Sequence, residues 1–164
     1  MILSVDPGSK HCGFALWEVD RTLARAWLQK NDDNGHPVWP LLSEREDVVE
    51  IVVERPQVYS ARFLRGDPND LVTIAIVGAE LVGMFRTLEQ DLKITWYYPK
   101  TWKGNVDKAA HQPRILSTLS DVERACITTV RAKALMHNVI DAVGIGLFHL
   151  GRMDRGKTRK VKTA

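Results

Sequence analysis

Apolar and polar positions first alternate along the chain, then cluster, and each change of period predicts an element. Ile2-Leu3-Ser4-Val5 is a short apolar run ending on Asp6, and Pro7-Gly8 forces a turn. Gly13-Phe14-Ala15-Leu16-Trp17 returns as a second strand. The chain thus opens on a hairpin with a carboxylate at a strand end. Within Asp20 to Lys30, Leu23, Arg25, Trp27 and Gln29 alternate with Thr22, Ala24, Ala26 and Leu28, which fits the third strand of a meander. Residues 31–37 read as a loop by composition, and Pro40 to Asp47 as a short helix. Val48 to Glu54 is β-branched and apolar on both sides of Glu50, the pattern of a central strand covered on both faces. Pro56 stops it.

Arg55 to Asp70 is the longest stretch without periodicity. From Leu71 to Glu89 apolar residues follow the 3.6-residue helical period, with Asn69 or Asp70 as N-cap. Val72, Ile76 and Ala79 extend the apolar surface around this helix. It is expected to pack on the sheet with one side and on a second copy of the chain with the other. Lys93 to Tyr98 reads as a strand ended by Pro99, and Pro99 to Asn105 as a loop or short turn. Asp107 to Thr118 is a basic helical segment interrupted near Pro113. The pattern turns helical again at Asp121, and a last long helix is expected from about Thr129 to Leu150. Strands and helices in this order imply an α/β domain with a mixed sheet.

Composition narrows the class. The chain has 164 residues, 45% hydrophobic and 26% charged, enough for one domain with its own core. No apolar run approaches the ~18 residues of a membrane span, and no basic n-region precedes the first strand. The expectation is a cytoplasmic protein, with Cys12 and Cys126 reduced. Net charge is +3 but uneven. Residues 152–164 hold six Lys or Arg against one Asp, giving +5, while residues 1–151 hold 17 basic against 19 acidic residues, giving −2. A domain of residues 1–151 with a basic tail, residues 152–164, suits a polyanionic partner such as nucleic acid; a merely solubilising tail is the plainer reading.

The candidate chemistry lies in three carboxylates. Asp6 and Glu54 end strands, and Asp141 interrupts the apolar helical stretch Val139-Ile140-Asp141-Ala142-Val143, where an unpaired acid is costly. Taken singly, Asp6 is a turn former and Glu54 a strand-end partner for Arg55. Together, acids from separate elements can share divalent cations, and two ions about 3.5–4 Å apart can activate water and stabilise a leaving oxygen. Asn138 and His137 lie one turn before Asp141, and either is a candidate fourth ligand or water-orienting group. His11 and His149 are expected to be structural or surface residues.

These residues carry a resemblance. Ile2-Leu3-Ser4-Val5-Asp6-Pro7-Gly8-Ser9 with Gly13-Phe14-Ala15, then Val53-Glu54, then Asp141-Ala142-Val143-Gly144-Ile145 through His149, resembles the motif series of RuvC-type Holliday junction resolvases in the ribonuclease H-like superfamily. The likeness spans residues 1 to about 150. It implies a ribonuclease H-like fold, with a mixed five-stranded sheet flanked by helices. It also implies a homodimer that nicks four-way DNA junctions symmetrically with two Mg²⁺ per site, Mn²⁺ substituting, and no nucleotide cofactor. Asp6, Glu54 and Asp141 carry over as metal ligands. Asn138 stands where the pattern has a fourth acid, so the fourth ligand is open between Asn138 and His137. The implied setting is a bacterial or phage-infected cell, near the nucleoid.

Basic residues should ring the acidic end of the sheet. Lys10, Arg62, Arg65, Lys100, Lys103, Lys108 and Arg114 are the expected phosphate contacts, and Tyr59 or Phe63 the expected stacking residue for an unpaired base. Three other readings compete with a junction resolvase. One is a related nuclease acting on flap or branched DNA or on pre-ribosomal RNA, and another is an inactive junction-binding protein. The last is an actin-like ATP-binding domain, which needs two such domains and adenosine motifs that 164 residues with one acidic hairpin do not supply.

Overall fold

Alternation in the first thirty residues produces the predicted meander. Strand β1 (Ile2–Asp6) pairs antiparallel with β2 (His11–Trp17), placing Asp6 opposite Gly13. Strand β3 (Leu23–Lys30) continues antiparallel on the outer side of β2. Strand β4 (Glu50–Glu54) then adds parallel to β1, and β5 (Lys93–Tyr97) parallel to β4. The five-stranded sheet has the order β3-β2-β1-β4-β5, so β4 is interior, as its two-sided apolar run requires. The computed structural model describes residues 1–39, 48–57, 67–87, 91–106, 108–130 and 132–153; the short helix expected at Pro40 to Asp47 lies outside them.

Helices cover both faces. On one, α1 (Pro68–Arg86) lays Val77, Leu81, Val82 and Phe85 over Leu3, Val5, Phe14, Ile51 and Val53. On the other, α5 (Met136–His149) buries Val139, Ile140, Val143, Ile145 and Leu147 against Ala15, Trp17 and Val52. Burying each large aliphatic side chain contributes about 1.5–3 kcal/mol, so these two layers hold the domain together. Between β5 and α5 run the short helix α2 (Pro99–Trp102), then α3 (Lys108–Thr118) and α4 (Asp121–Ala125). Cys12 and Cys126 are free thiols.

The sequence pattern and the structure differ in five places. Helix α1 begins three residues before Leu71, capped by Asp67, whose carboxylate accepts the Asn69 N–H. Contrary to the expectation of no such run, α1 is long and apolar enough to cross a membrane by length and composition, with a mean hydropathy of 1.3 over its best window. Here its apolar stripe lies on the sheet, leaving Val72 and Ile76 exposed. Helix α3 runs through Pro113 because Ile115 and Leu119 are buried against α5, and that packing outweighs the local penalty. The last helix starts at Met136, not Thr129. Residues 127–130 (Ile-Thr-Thr-Val) are β-branched; Ile127 bridges Ala26, and the Thr128 N–H donates to the Ala26 carbonyl before a 3₁₀ turn at Lys133–Leu135.

The fifth difference is at the C-terminal boundary. Arg152 and Met153 belong to the packed body. Arg152 spans both carboxylate oxygens of Glu123, donates to the Arg21 carbonyl and lies over the Trp17 ring, while Met153 is buried. Glu123 also accepts from the Leu23 and Ser120 N–H groups. Arg152 foremost, with burial opposing and these N–H groups adding to it, holds the Glu123 carboxyl down to about 2. A folded value below the unfolded one gives stability that is present above about pH 4.5 and lost as pH falls toward 2. Arg152→Ala is expected to cost about 1–2 kcal/mol at pH 7, and the gap to wild type should close as acid approaches pH 2. Urea melts from pH 7 to 3 check this; a pH-independent gap means the guanidinium acts only by packing.

Candidate active site

Parallel register sets two acids level with each other. Val5 pairs with Val53, so Asp6 and Glu54 leave the same edge of the sheet from neighbouring strands. The third acid arrives on α5, which is seated by two contacts. At Gly13 a Cβ would stand 2.0 Å from the Asn138 carbonyl oxygen, so only glycine lets β2 and α5 approach this closely. One turn further on, Ser4 Oγ donates to the Ala142 carbonyl at 2.8 Å while accepting from Trp17 Nε1 at 2.9 Å. Asp141, beside Ala142, is thereby held over the ends of β1 and β4. Asp6, Glu54 and Asp141 line one cleft of about 540 Å³, with Gly8, Lys10 and Pro56 on its walls. Asp6 and Asp141 are buried and Glu54 is half-buried.

Three groups from the segment after β5 reach into the cluster. Lys103 Nζ lies 2.7 Å from Asp141 Oδ2 and 3.4 Å from Glu54 Oε2. Trp102 Nε1 donates to Glu54 Oε2 at 2.7 Å. His111 Nε2 stands 3.3 Å from Asp141 Oδ1, buried and without a well-aligned hydrogen bond on either ring nitrogen. The acids therefore differ in character. Burial first, then the charges of Glu54 and Asp141, push the Asp6 carboxyl well above its ordinary range against the pull of Lys103. Burial likewise raises Glu54, with Asp141 adding, although Lys103 and Trp102 oppose it. At Asp141 burial is outweighed by His111 and Lys103, which hold its carboxyl below the usual value. Lys103, penalised by burial, is raised more strongly by Glu54, Asp141 and Asp6, so it stays charged.

The expected site residues are partly gathered here. Lys103, expected at a phosphate, stands among the acids. Asn138 Nδ2 donates to the His11 carbonyl at 3.2 Å, tying α5 to the hairpin turn. His137 is exposed, and its Nδ1 contacts the Ala134 carbonyl at 2.5 Å. Lys10 and Lys100 are exposed, on the cleft wall and on α2; Lys108 opens α3, and Arg114 is half-buried on it. Tyr59, Arg62, Phe63 and Arg65 lie outside the described residues. His149 has a structural part, bonding Tyr97 Oη at 3.1 Å and Glu50 Oε1 at 3.2 Å. Sequence reasoning missed Trp102 and His111, which lie 48 and 30 residues along the chain from the acids they contact.

Among the described residues no group of three or more His, Cys, Asp or Glu side chains is arranged to hold a metal ion as it stands, since Lys103 bridges Glu54 and Asp141. The donor set nonetheless suits a hard divalent cation. Three buried or half-buried carboxylates face one ammonium, which leaves negative charge for a cation to offset.

Sheet order and flanking helices make this a ribonuclease H-like α/β fold with an acidic cleft at the β1–β4 edge. Among solved structures it is similar to T. thermophilus RuvC in complex with Holliday junction substrate, at 15% identity and TM-score 0.55, covering 91% of this chain and 92% of that one. It is also similar to the Fowlpox virus resolvase in complex with substrate Holliday junction DNA, at 13% identity and TM-score 0.54, covering 92% and 96%. No protein-family profile and no curated protein matches the chain.

Proposed function

We propose that this chain is a divalent-metal-dependent, structure-specific endonuclease that resolves four-way DNA junctions by paired symmetric nicks. The observation that carries this reading is the convergence of Asp6, Glu54 and Asp141 in one open cleft. Asp6, Glu54 and Asp141 would hold two Mg²⁺ or Mn²⁺, with Asn138 through Oδ1 or His137 as the further ligand. Bound there, the ions supply an activated water and stabilisation of the leaving oxygen. Lys103 keeps a positive charge at the acids and moves toward a phosphate oxygen when they are otherwise neutralised. Lys10 and Lys100 meet the DNA backbone outside the cleft.

Two nicks require two sites, and the outward face of α1 is the surface for a second copy: Val72 is 59% and Ile76 51% exposed. The basic segment after Met153 adds sequence-independent attraction. Removing residues 154–164 deletes Arg155, Lys157, Arg159, Lys160 and Lys162 but spares Arg152. Junction binding should weaken, and the slope of log K against log salt should flatten by about 0.9 for each phosphate no longer neutralised. An unchanged slope makes the segment a bystander.

The deciding experiment is cleavage by the purified chain with Mg²⁺ on an immobile four-way junction, linear duplex, Y-shaped DNA and structured RNA of matched sequence. Paired nicks near the junction centre, on the four-way substrate alone, are expected. Cutting of RNA alone, or junction binding without cutting, overturns the reading.

A further inference from the structure

The Trp102 indole is tied to the acid cluster by more than packing. Its side chain is fully buried, yet its one polar atom points at Glu54 and donates to Oε2 at 2.7 Å. Lys103 approaches the same oxygen. Both contacts therefore restrain one end of the carboxylate. The ring also touches the elements that carry the rest of the site. Its centroid lies 5.2 Å from that of His111, the Asp141 neighbour. On α5, three residues past Asp141, Gly144 leaves the space the indole fills: a Cβ there would stand 2.5 Å from Trp102 Cζ3 and 2.6 Å from Ile115 Cδ1. Pro99 opens α2 three residues earlier and starts the turn that brings Trp102 beneath the cleft.

We infer that Trp102 is a positioning residue for metal binding: its N–H holds Glu54 Oε2 so that Oε1 is presented to the space shared with Asp6 and Asp141. This rests on the proposed metal-dependent reading of the cleft. The physical reason is specific to a half-buried carboxylate. Glu54 has two side-chain torsions beyond Cβ, and it stands between the Lys103 ammonium that attracts it and the Asp141 carboxylate that repels it. A donor fixed by a packed ring removes rotational freedom that a metal ion must otherwise remove on binding. The same N–H, at 2.7 Å from Oε2, also gives the charged carboxylate a fixed hydrogen-bond donor.

Trp102→Phe keeps an aromatic ring in the Gly144 pocket and deletes the N–H. The variant should retain junction binding in EDTA and a KM within about twofold of wild type. Its Mg²⁺ affinity by calorimetry and its kcat should each fall about 10–100-fold, the range typical of outer-shell partners. If wild type and Glu54→Gln both take up no Mg²⁺, the metal-dependent reading itself fails. If wild type takes up Mg²⁺ and a folded Trp102→Phe protein takes it up equally well, the positioning role alone fails.

A measurement on wild type covers the case in which the variant does not fold. Of the five indole N–H resonances, that of Trp102 should move on Mg²⁺ titration, and Trp17, whose N–H is spent on Ser4, should not. A Trp102 resonance unmoved at saturating Mg²⁺ overturns the inference.

Discussion

Asp6→Asn, Glu54→Gln and Asp141→Asn should each lower junction cleavage by more than about 100-fold, exceeding the usual effect of an outer-shell change, while junction binding stays measurable. The three are expected to separate in stability. Asp6 is buried among like charges that push its carboxyl up, so Asn removes repulsion and should raise the melting temperature in EDTA. Asp141 is the partner of Lys103 and His111, so its Asn variant removes the shorter of the ammonium's two carboxylate contacts and should lower it. Mg²⁺ stabilises only a folded state that binds it, so each variant should lose most of the Mg²⁺-induced rise seen in wild type. Cleavage assays beside thermal melts with EDTA and Mg²⁺ provide both readouts. A single variant that keeps wild-type cleavage removes its residue from the site.

The two strand-end acids were legible because strand ends are written locally. An apolar run, an acid and a breaker place Asp6 and Glu54, and the parallel pairing of β1 with β4 brings them level. Asp141 was legible by contrast, as a carboxylate among residues that are otherwise all buried. What remained hidden depends on tertiary approach. Lys103 looks like any basic residue beside an aromatic, and only the path of α2 under α5 turns it inward. His111 reaches Asp141 across 30 residues of chain, and Trp102 reaches Glu54 across 48. The start of α5 was misjudged for a related reason. Residues 127–130 fit a helical period, but the free edge of β3 offers backbone partners that a β-branched segment takes first.

Lys103→Met tests what holds the acids together before a metal ion arrives. Methionine keeps an unbranched apolar stem and carries no charge, its side chain being one heavy atom shorter than that of lysine. Removing one partner of a buried ion pair costs about 3–5 kcal/mol, and the 26% exposure of the Lys103 side chain reduces this to about 2–3 kcal/mol. The loss should appear at pH 8 in EDTA and shrink in two ways. Mg²⁺ should stabilise the variant more than wild type, because the ion no longer competes with an ammonium; tenfold tighter binding adds about 1.4 kcal/mol at saturation. Acid should also narrow the gap. Asp6 and Glu54 have folded values above their unfolded ones, so the folded state takes up protons first and gains stability as pH falls toward about 4. In wild type Lys103 opposes that uptake at both carboxylates, so its stability should rise less over the same range. Denaturant melts at pH 8, 6.5 and 5, with and without Mg²⁺, read both trends. A deficit that is the same under all six conditions would show that the Lys103 ammonium is not the resident counter-charge of the cleft.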